Sequence, residues 1–275
     1  MSFQKITAKT FQEKKLKGEK ILMLTCYDYP TALIVDKTEI DSVLVGDSLG
    51  MVMLGYETTI PVTIEEIIHH AKAVSRGIKR AFVIADMPMG TYHVCIEDGI
   101  RNAIRLVKEA SVEAVKIEGG KKRSLLVKKI VEAEIPVMGH IGLTPQSIHM
   151  IGGYKVQGKE KKSAEEIIED ALSLERAGAF AIVLECIPMN LAKEITAKLS
   201  IPTIGIGSGP YCDGQILVLH DMLGMWGKNN YKFVKKYANI YNIMLRAIKR
   251  YCKEVREGLF PSEKHSFANS KIDTK

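Results

Sequence analysis

No apolar run in this 275-residue chain is long enough to cross a bilayer; the longest, such as AFAIVLEC, are strand-sized. The opening MSFQKITAKTFQEKKLKGEK lacks the apolar core of a secretory signal. With Glu13, Glu19 and no arginine it does not read as a transit peptide either, so a cytoplasmic protein without a membrane partner is expected. Cysteine is sparse: Cys26, Cys95, Cys186, Cys212 and Cys252 are an odd five with no CxxC or Cys/His metal spacing. Neither a disulfide framework nor a zinc site fits that pattern, and buried free thiols are expected. Lysine and arginine exceed the acidic residues by 39 to 32, yet the lysines sit among glutamates in EKKLKGEK and KEKKS. Arginine–aromatic interleaving is missing, so no nucleic-acid partner is expected. Neither a low-complexity linker nor a fixed-period repeat divides the chain. Residues 1–275 read as one domain, with 268–275 as a disordered tail.

What recurs is an apolar run, a glycine or polar residue, then an amphipathic segment. The runs are ILMLTC (21–26), SVLVGD (42–47), AFVIAD (81–86), AVKIEG (114–119), IPVMGH (135–140), AIVLEC (181–186), PTIGIG (202–207) and ILVLHD (216–221). They are continuous rather than alternating, the pattern of parallel strands covered on both faces. Helix starts lie between them: Thr63 with Glu66 and Ser163 with Glu166 read as capping boxes, and Pro188 falls near a first helical turn. Eight strands alternating with helices predict an α/β chain folded as a (β/α)8 TIM-type barrel, with an extra helix over 3–18 and closing helices within 229–257. Only SGPYCDGQ separates the seventh and eighth runs, short for a parallel crossover. Either the seventh helix is reduced to a turn or ILVLHD is helical, and an open doubly wound sheet is the alternative. The stretch 143–162 is long for a structureless loop and, following the fifth strand, would hang over the barrel mouth.

The run ends carry the chemistry. Asp47, Asp86, Glu118, His140 and Glu185 close the second to sixth runs, and the carboxyl-terminal face of such a barrel is the catalytic one. One acidic strand tip is often only the N-cap of the next helix, but four in one mouth are not all caps. Bare carboxylates so close repel, and a hard cation such as Mg²⁺ resolves the repulsion. Lys116 and Glu118 share one strand face, so Lys116 lines the barrel below Glu118. Together they make either a clamp for a substrate carboxylate or a plain ion pair. His140 is either a satisfied core histidine or an additional site residue. His69 and His70 are adjacent on a helix and cannot share one metal, so a structural role is expected. GIGSGP resembles a phosphate-cradling loop, a weak signal by itself.

The segments TCYDYP, VLVGDSLGMVMLGYETTIPVT, VKIEGG, GHIGLTPQS, GGYKVQG, LECIP, GIGSGPYCDGQILVLHD, FVKKYA and EKHSF, in order from about residue 3 to 267, resemble the ketopantoate hydroxymethyltransferase family. The resemblance implies a barrel of the phosphoenolpyruvate/pyruvate-like superfamily, dependent on Mg²⁺ and assembled as a homo-oligomer, a decamer. It implies a transferase of pantothenate biosynthesis that moves a one-carbon unit from 5,10-methylenetetrahydrofolate to 3-methyl-2-oxobutanoate, giving 2-dehydropantoate. Matched motif by motif, Asp47, Asp86 and Glu118 correspond to metal-binding carboxylates. Asp47, Ser48, Asp86 and Lys116 correspond to positions holding the 2-oxo acid, and Glu185 to the proton acceptor. Ser208 departs from the usual alanine, and Lys159, Lys161 and Lys162 make the loop more basic, where they would steer the glutamyl tail of folate. Two rivals stand beside this reading: another Mg²⁺-dependent 2-oxo acid lyase or mutase on the same barrel, and a non-catalytic oligomeric binding protein.

Overall fold

A computed structural model describes residues 4–226 and 231–267. Its strands are β1 (Ile21–Thr25), β2 (Ser42–Val45), β3 (Phe82–Asp86), β4 (Ala114–Glu118), β5 (Val137–Gly142), β6 (Ala181–Glu185), β7 (Thr203–Ile206) and β8 (Gly214–Leu217). All pair in parallel, in sequence order, and β8 closes on β1. Because side chains alternate across a strand, each apolar run feeds two cores. Leu44, Ile84, Met138, Val183 and Ile204 point into the barrel, while Val43, Val83, Val115 and Ile182 face the helices outside. With both faces buried, a polar residue between them would go unpaired, and this is why the runs do not alternate.

The barrel floor is closed by the helix Ala8–Lys17, the expected extra helix. Its Phe11 is fully buried and meets the rings of Phe82 and Phe180 edge-on, at 6.0 and 5.4 Å between centroids. Thr63 caps the helix Ile64–Gly77: its hydroxyl accepts from the Glu66 N–H while the Glu66 carboxylate accepts from the Thr63 N–H at 2.7 Å, the expected capping box.

The structure corrects several local expectations. The helix Lys161–Arg176 starts two residues before Ser163, whose hydroxyl donates back to the Glu160 carbonyl instead of capping. β8 runs over 214–217 rather than 216–221, and Leu219–Met222 is a helical turn. No helix intervenes between β7 and β8; Gly207 and Gly209, both with left-handed φ, turn the chain back through buried Cys212 instead.

The chain divides into two compact units, residues 1–219 with 231–234, and residues 220–230 with 235–275. The second holds the helix Ile240–Arg256, where Asn239 accepts from the Asn242 N–H as N-cap. Of the expected closing helices, 229–230 lie outside the described residues, as does the expected tail 268–275.

Candidate active site

Strand register gathers the polar residues at the carboxyl-terminal end of the barrel. Asp86 on β3 lies opposite Lys116 on β4, Glu118 opposite His140 on β5, and Gly142 opposite Glu185 on β6. Asp47 follows β2, and its backbone N–H donates to Asp86 Oδ2 at 2.9 Å. Gly46 makes this approach possible, since a Cβ there would meet Ser48 Oγ at 2.9 Å and Asp86 Oδ2 at 3.2 Å. The Ser48 hydroxyl bonds the buried Tyr27 hydroxyl at 2.8 Å.

Lys116 sits among the carboxylates, its Nζ 2.7 Å from Asp86 Oδ1 and 4.0 Å from Glu118 Oε1. The Asp86 contact is a close, buried ion pair. Burial by itself would discharge Lys116, but the charges of Asp86, Glu118 and Asp47 outweigh it and raise its pKa. Burial, then the charges of Asp86 and Glu118, lift Asp47 well above the usual carboxylate range. Asp86 is also raised by burial, with Lys116 opposing. Glu118 goes the other way: burial pushes it up, but the hydrogen bond and charge of His140, with Lys116, hold it below its ordinary value.

His140 resolves toward the site. Nδ1 is 3.3 Å from Glu118 Oε1 and Nε2 is 3.1 Å from Glu185 Oε2. Burial and the neighbouring Lys116 ammonium pull its pKa down, and the bonds to Glu118 and Glu185 overcome them, raising it to about 9. The Lys116 ammonium, which can only donate, also lies 3.2 Å from Nδ1, so the ring touches the lysine as well as both carboxylates. His140 thus bridges the buried carboxylates and Glu185. Immediately after Glu185, Cys186 holds a left-handed φ of 48°, costly for a residue with a side chain, so the backbone at this tip is strained.

The oxygen donors suit a hard cation. No three or more His, Cys, Asp or Glu side chains among the described residues form a ready metal cage. Mg²⁺ does not need its protein ligands already closed into a cage, since it keeps several positions for water and substrate. Three carboxylates crowded at one buried mouth, with Asp47 raised well above its ordinary range, present the negative charge that a hard cation would neutralise.

Three further residues carry the site without standing out in the sequence: Tyr27, Tyr92 and Gln146. Gln146 is buried and donates to Asp47 Oδ2 at 2.8 Å, while the Tyr92 hydroxyl donates to Gln146 Oε1 at 2.7 Å. The available signals were slight: Gln146 belongs to GHIGLTPQS directly after a strand, and Tyr27 to TCYDYP. Other features fall away from the chemistry. His70 Nδ1 lies 2.7 Å from the Tyr27 carbonyl oxygen, a structural contact. In GIGSGP the buried Ser208 hydroxyl donates to the Leu184 carbonyl at 2.7 Å, so it is spent on the backbone. The 143–162 stretch forms short turns over Pro145–Ser147 and Ile148–Ile151. Its Gln157 N–H donates to the Cys186 carbonyl, and its Tyr154 hydroxyl reaches Met51 Sδ at 3.7 Å, so it spans from the β6 tip to the segment after β2.

A closed parallel barrel with charged strand tips at one mouth defines the class, a (β/α)8 enzyme barrel. Solved structures, among them a member of the phosphoenolpyruvate mutase/isocitrate lyase superfamily, share the barrel fold. Phosphonopyruvate hydrolase in complex with oxalate and Mg²⁺ superposes with a TM-score of 0.61 at 11% identity, covering 94% of this chain and 93% of that one. 2,3-Dimethylmalate lyase, a member of that superfamily, gives 0.58 at 15% identity, covering 94% and 91%. At sequence level, the profile of the ketopantoate hydroxymethyltransferase family matches residues 5–263. The 3-methyl-2-oxobutanoate hydroxymethyltransferase of Thermoanaerobacter sp. (strain X514) is 58% identical over 272 residues, 99% of each chain. That of Heliobacterium modesticaldum is 54% identical over 264 residues, 96% of each. The chain belongs to the ketopantoate hydroxymethyltransferase family.

Proposed function

We propose that this chain transfers a hydroxymethyl group from 5,10-methylenetetrahydrofolate to 3-methyl-2-oxobutanoate, forming 2-dehydropantoate. The observation that carries the mechanism is the contrast among the carboxylates. Asp86 and Glu118 are 4% exposed and ringed by Lys116 and His140, whereas Glu185 is 16% exposed at the mouth. Glu185 is the one a substrate C–H can reach, and it is the general base in this reading.

Asp47, Asp86 and Glu118 would hold Mg²⁺, which supplies Lewis-acid withdrawal of electrons from the keto and carboxylate oxygens of the oxo acid. Lys116, with Asp47, Ser48 and Asp86, orients the oxo acid; an ammonium fixed on Asp86 presents its remaining N–H bonds to the substrate carboxylate. Glu185 then accepts the C3 proton. The His140 ring, 3.1 Å from Glu185 Oε2 and 3.3 Å from Glu118 Oε1, packs against that carboxylate and holds it in place. C3 forms the new bond to the folate methylene carbon, which leaves both folate nitrogens. Water supplies the hydroxyl oxygen, and the three hydrogens from C3 and the water end on two nitrogens and one hydroxyl. Protonated Glu185 is placed to return its proton to a departing nitrogen.

A homo-oligomer, a decamer by family resemblance, belongs to the same proposal. The helix Ile240–Arg256 supports it, since Tyr241, Met244, Ile248, Tyr251 and Val255 recur at three- and four-residue spacing and stay exposed. A second copy of the chain is the occupant that this stripe suits. The cytoplasm is the proposed location; among the described residues no helix is long and apolar enough to cross a membrane. Incubating purified protein with MgCl₂, the oxo acid and methylenetetrahydrofolate is expected to yield 2-dehydropantoate, with none formed when folate or Mg²⁺ is omitted. Folate-independent cleavage of an oxo acid would replace this reading with a lyase.

A further inference from the structure

Gln146 is the point at which the loop after β5 enters the carboxylate group, and both ends of its side-chain amide are engaged. Its Nε2 donates to Asp47 Oδ2 at 2.8 Å and to the Met87 carbonyl at 3.1 Å. Its Oε1 accepts from the Tyr92 hydroxyl at 2.7 Å, and its backbone N–H donates to Glu118 Oε2 at 3.0 Å. A carboxylate and a carbonyl can only accept, so the amide has one acceptable orientation. Tyr92 locks it, because the same hydroxyl accepts from the Glu118 N–H at 3.3 Å and so has its proton left for Gln146.

Each of the three carboxylates has one oxygen held by an N–H of the protein. Asp47 Oδ2 and Glu118 Oε2 are both held by Gln146, and Asp86 Oδ2 by the Asp47 backbone. The opposite oxygens of Asp86 and Glu118 face Lys116, and that of Glu118 also faces His140. A single loop residue therefore fixes which oxygens of two carboxylates turn away from the protein backbone. We propose that Gln146 is a positioning residue that sets the rotamers of Asp47 and Glu118 for Mg²⁺, and so ties the loop after β5 to the metal. The inference rests on the reading of these carboxylates as the Mg²⁺ site. Hydrogen-bond partners that orient metal ligands typically change affinity by about 10- to 100-fold when removed.

The test is calorimetric titration of Mg²⁺ into the protein with 3-methyl-2-oxobutanoate present and folate absent, for wild type, Gln146→Ala and Tyr92→Phe. Gln146→Ala keeps the backbone N–H on Glu118 and removes the amide on Asp47, and through Asp47 is expected to weaken Mg²⁺ about 10- to 100-fold. Tyr92→Phe keeps the ring but frees the amide to rotate, and is expected to weaken Mg²⁺ in the same direction by a smaller factor. Steady-state kinetics should show KM for the oxo acid rising in both at saturating folate. Wild-type affinity in both variants, with only the melting temperature lowered, would overturn the role of Gln146 and leave it a loop brace. Should Gln146→Ala fail to fold, Tyr92→Phe decides alone by the same criterion. Absence of Mg²⁺ binding by the wild type would instead overturn the metal reading on which the role depends, an outcome distinct from the first.

Discussion

Lys116 and His140 set the charge balance on which the site turns. Asp47, Asp86 and Glu118 face one ammonium and, with His140 raised to about 9, one imidazolium. Fully ionised, the carboxylates exceed these cations by one charge even before Glu185 is counted, and Asp47 carries the strain as a raised pKa. A bound divalent cation would remove that strain and return Asp47 to its ionised form. Most of this was legible from sequence. Asp47, Asp86, Glu118 and Glu185 stand at strand tips, and period-two geometry puts Lys116 on the face of Glu118. The sequence leaves the role of His140 open, because that role depends on two carboxylates from different strands. Gln146 was not legible at all: its partner Asp47 lies 99 residues away, and no local pattern marks a loop glutamine as buried.

At the scale of elements, the Thr63–Glu66 box ties the stability of one barrel helix to pH. Glu66 lies below its ordinary pKa, chiefly because it accepts from the Thr63 N–H. A carboxyl depressed in the folded state contributes stability above its unfolded pKa and loses that contribution as pH falls through its folded value. Thr63→Ala is expected to cost about 1 kcal/mol in urea denaturation at pH 7. As pH falls through the depressed pKa of Glu66 the difference should shrink, because protonation weakens the bond that the carboxylate accepts from the Thr63 hydroxyl, which the variant lacks at every pH. An equal cost above and below that pKa would show that the bond between the Thr63 hydroxyl and the Glu66 carboxylate contributes nothing. The same local grammar misled at Ser163, where Lys161 and Lys162 are good enough helix formers to carry the start back to Glu160. At β8 the apolar pattern ILVLHD was read two residues late, since pairing with β1 from Ile21 fixes the start at Gly214, a residue with no apolar side chain to announce it.

Over the whole molecule, eight short runs buried on both faces sufficed to predict the barrel, because a closed parallel sheet ringed by helices hides such strands on both sides. In the second unit, the helix Ile240–Arg256 carries an exposed apolar stripe. If a second copy covers it, light scattering should give a mass several times the 30.6 kDa of one chain. The double variant Met244→Lys/Ile248→Lys should run as a smaller species. A wild type that runs as a monomer would remove the oligomer from the account.

The central claim is that Glu185 takes a proton from C3 of a 2-oxo acid held beside it. It is tested most directly by following the C3 proton of 3-methyl-2-oxobutanoate by NMR in D₂O, with MgCl₂ and protein but no folate. Glu185→Gln and an EDTA-treated sample run alongside. The account predicts Mg²⁺-dependent loss of the C3 signal in the wild type and none above background in Glu185→Gln. Exchange at an undiminished rate in Glu185→Gln would contradict it and move the base to another residue.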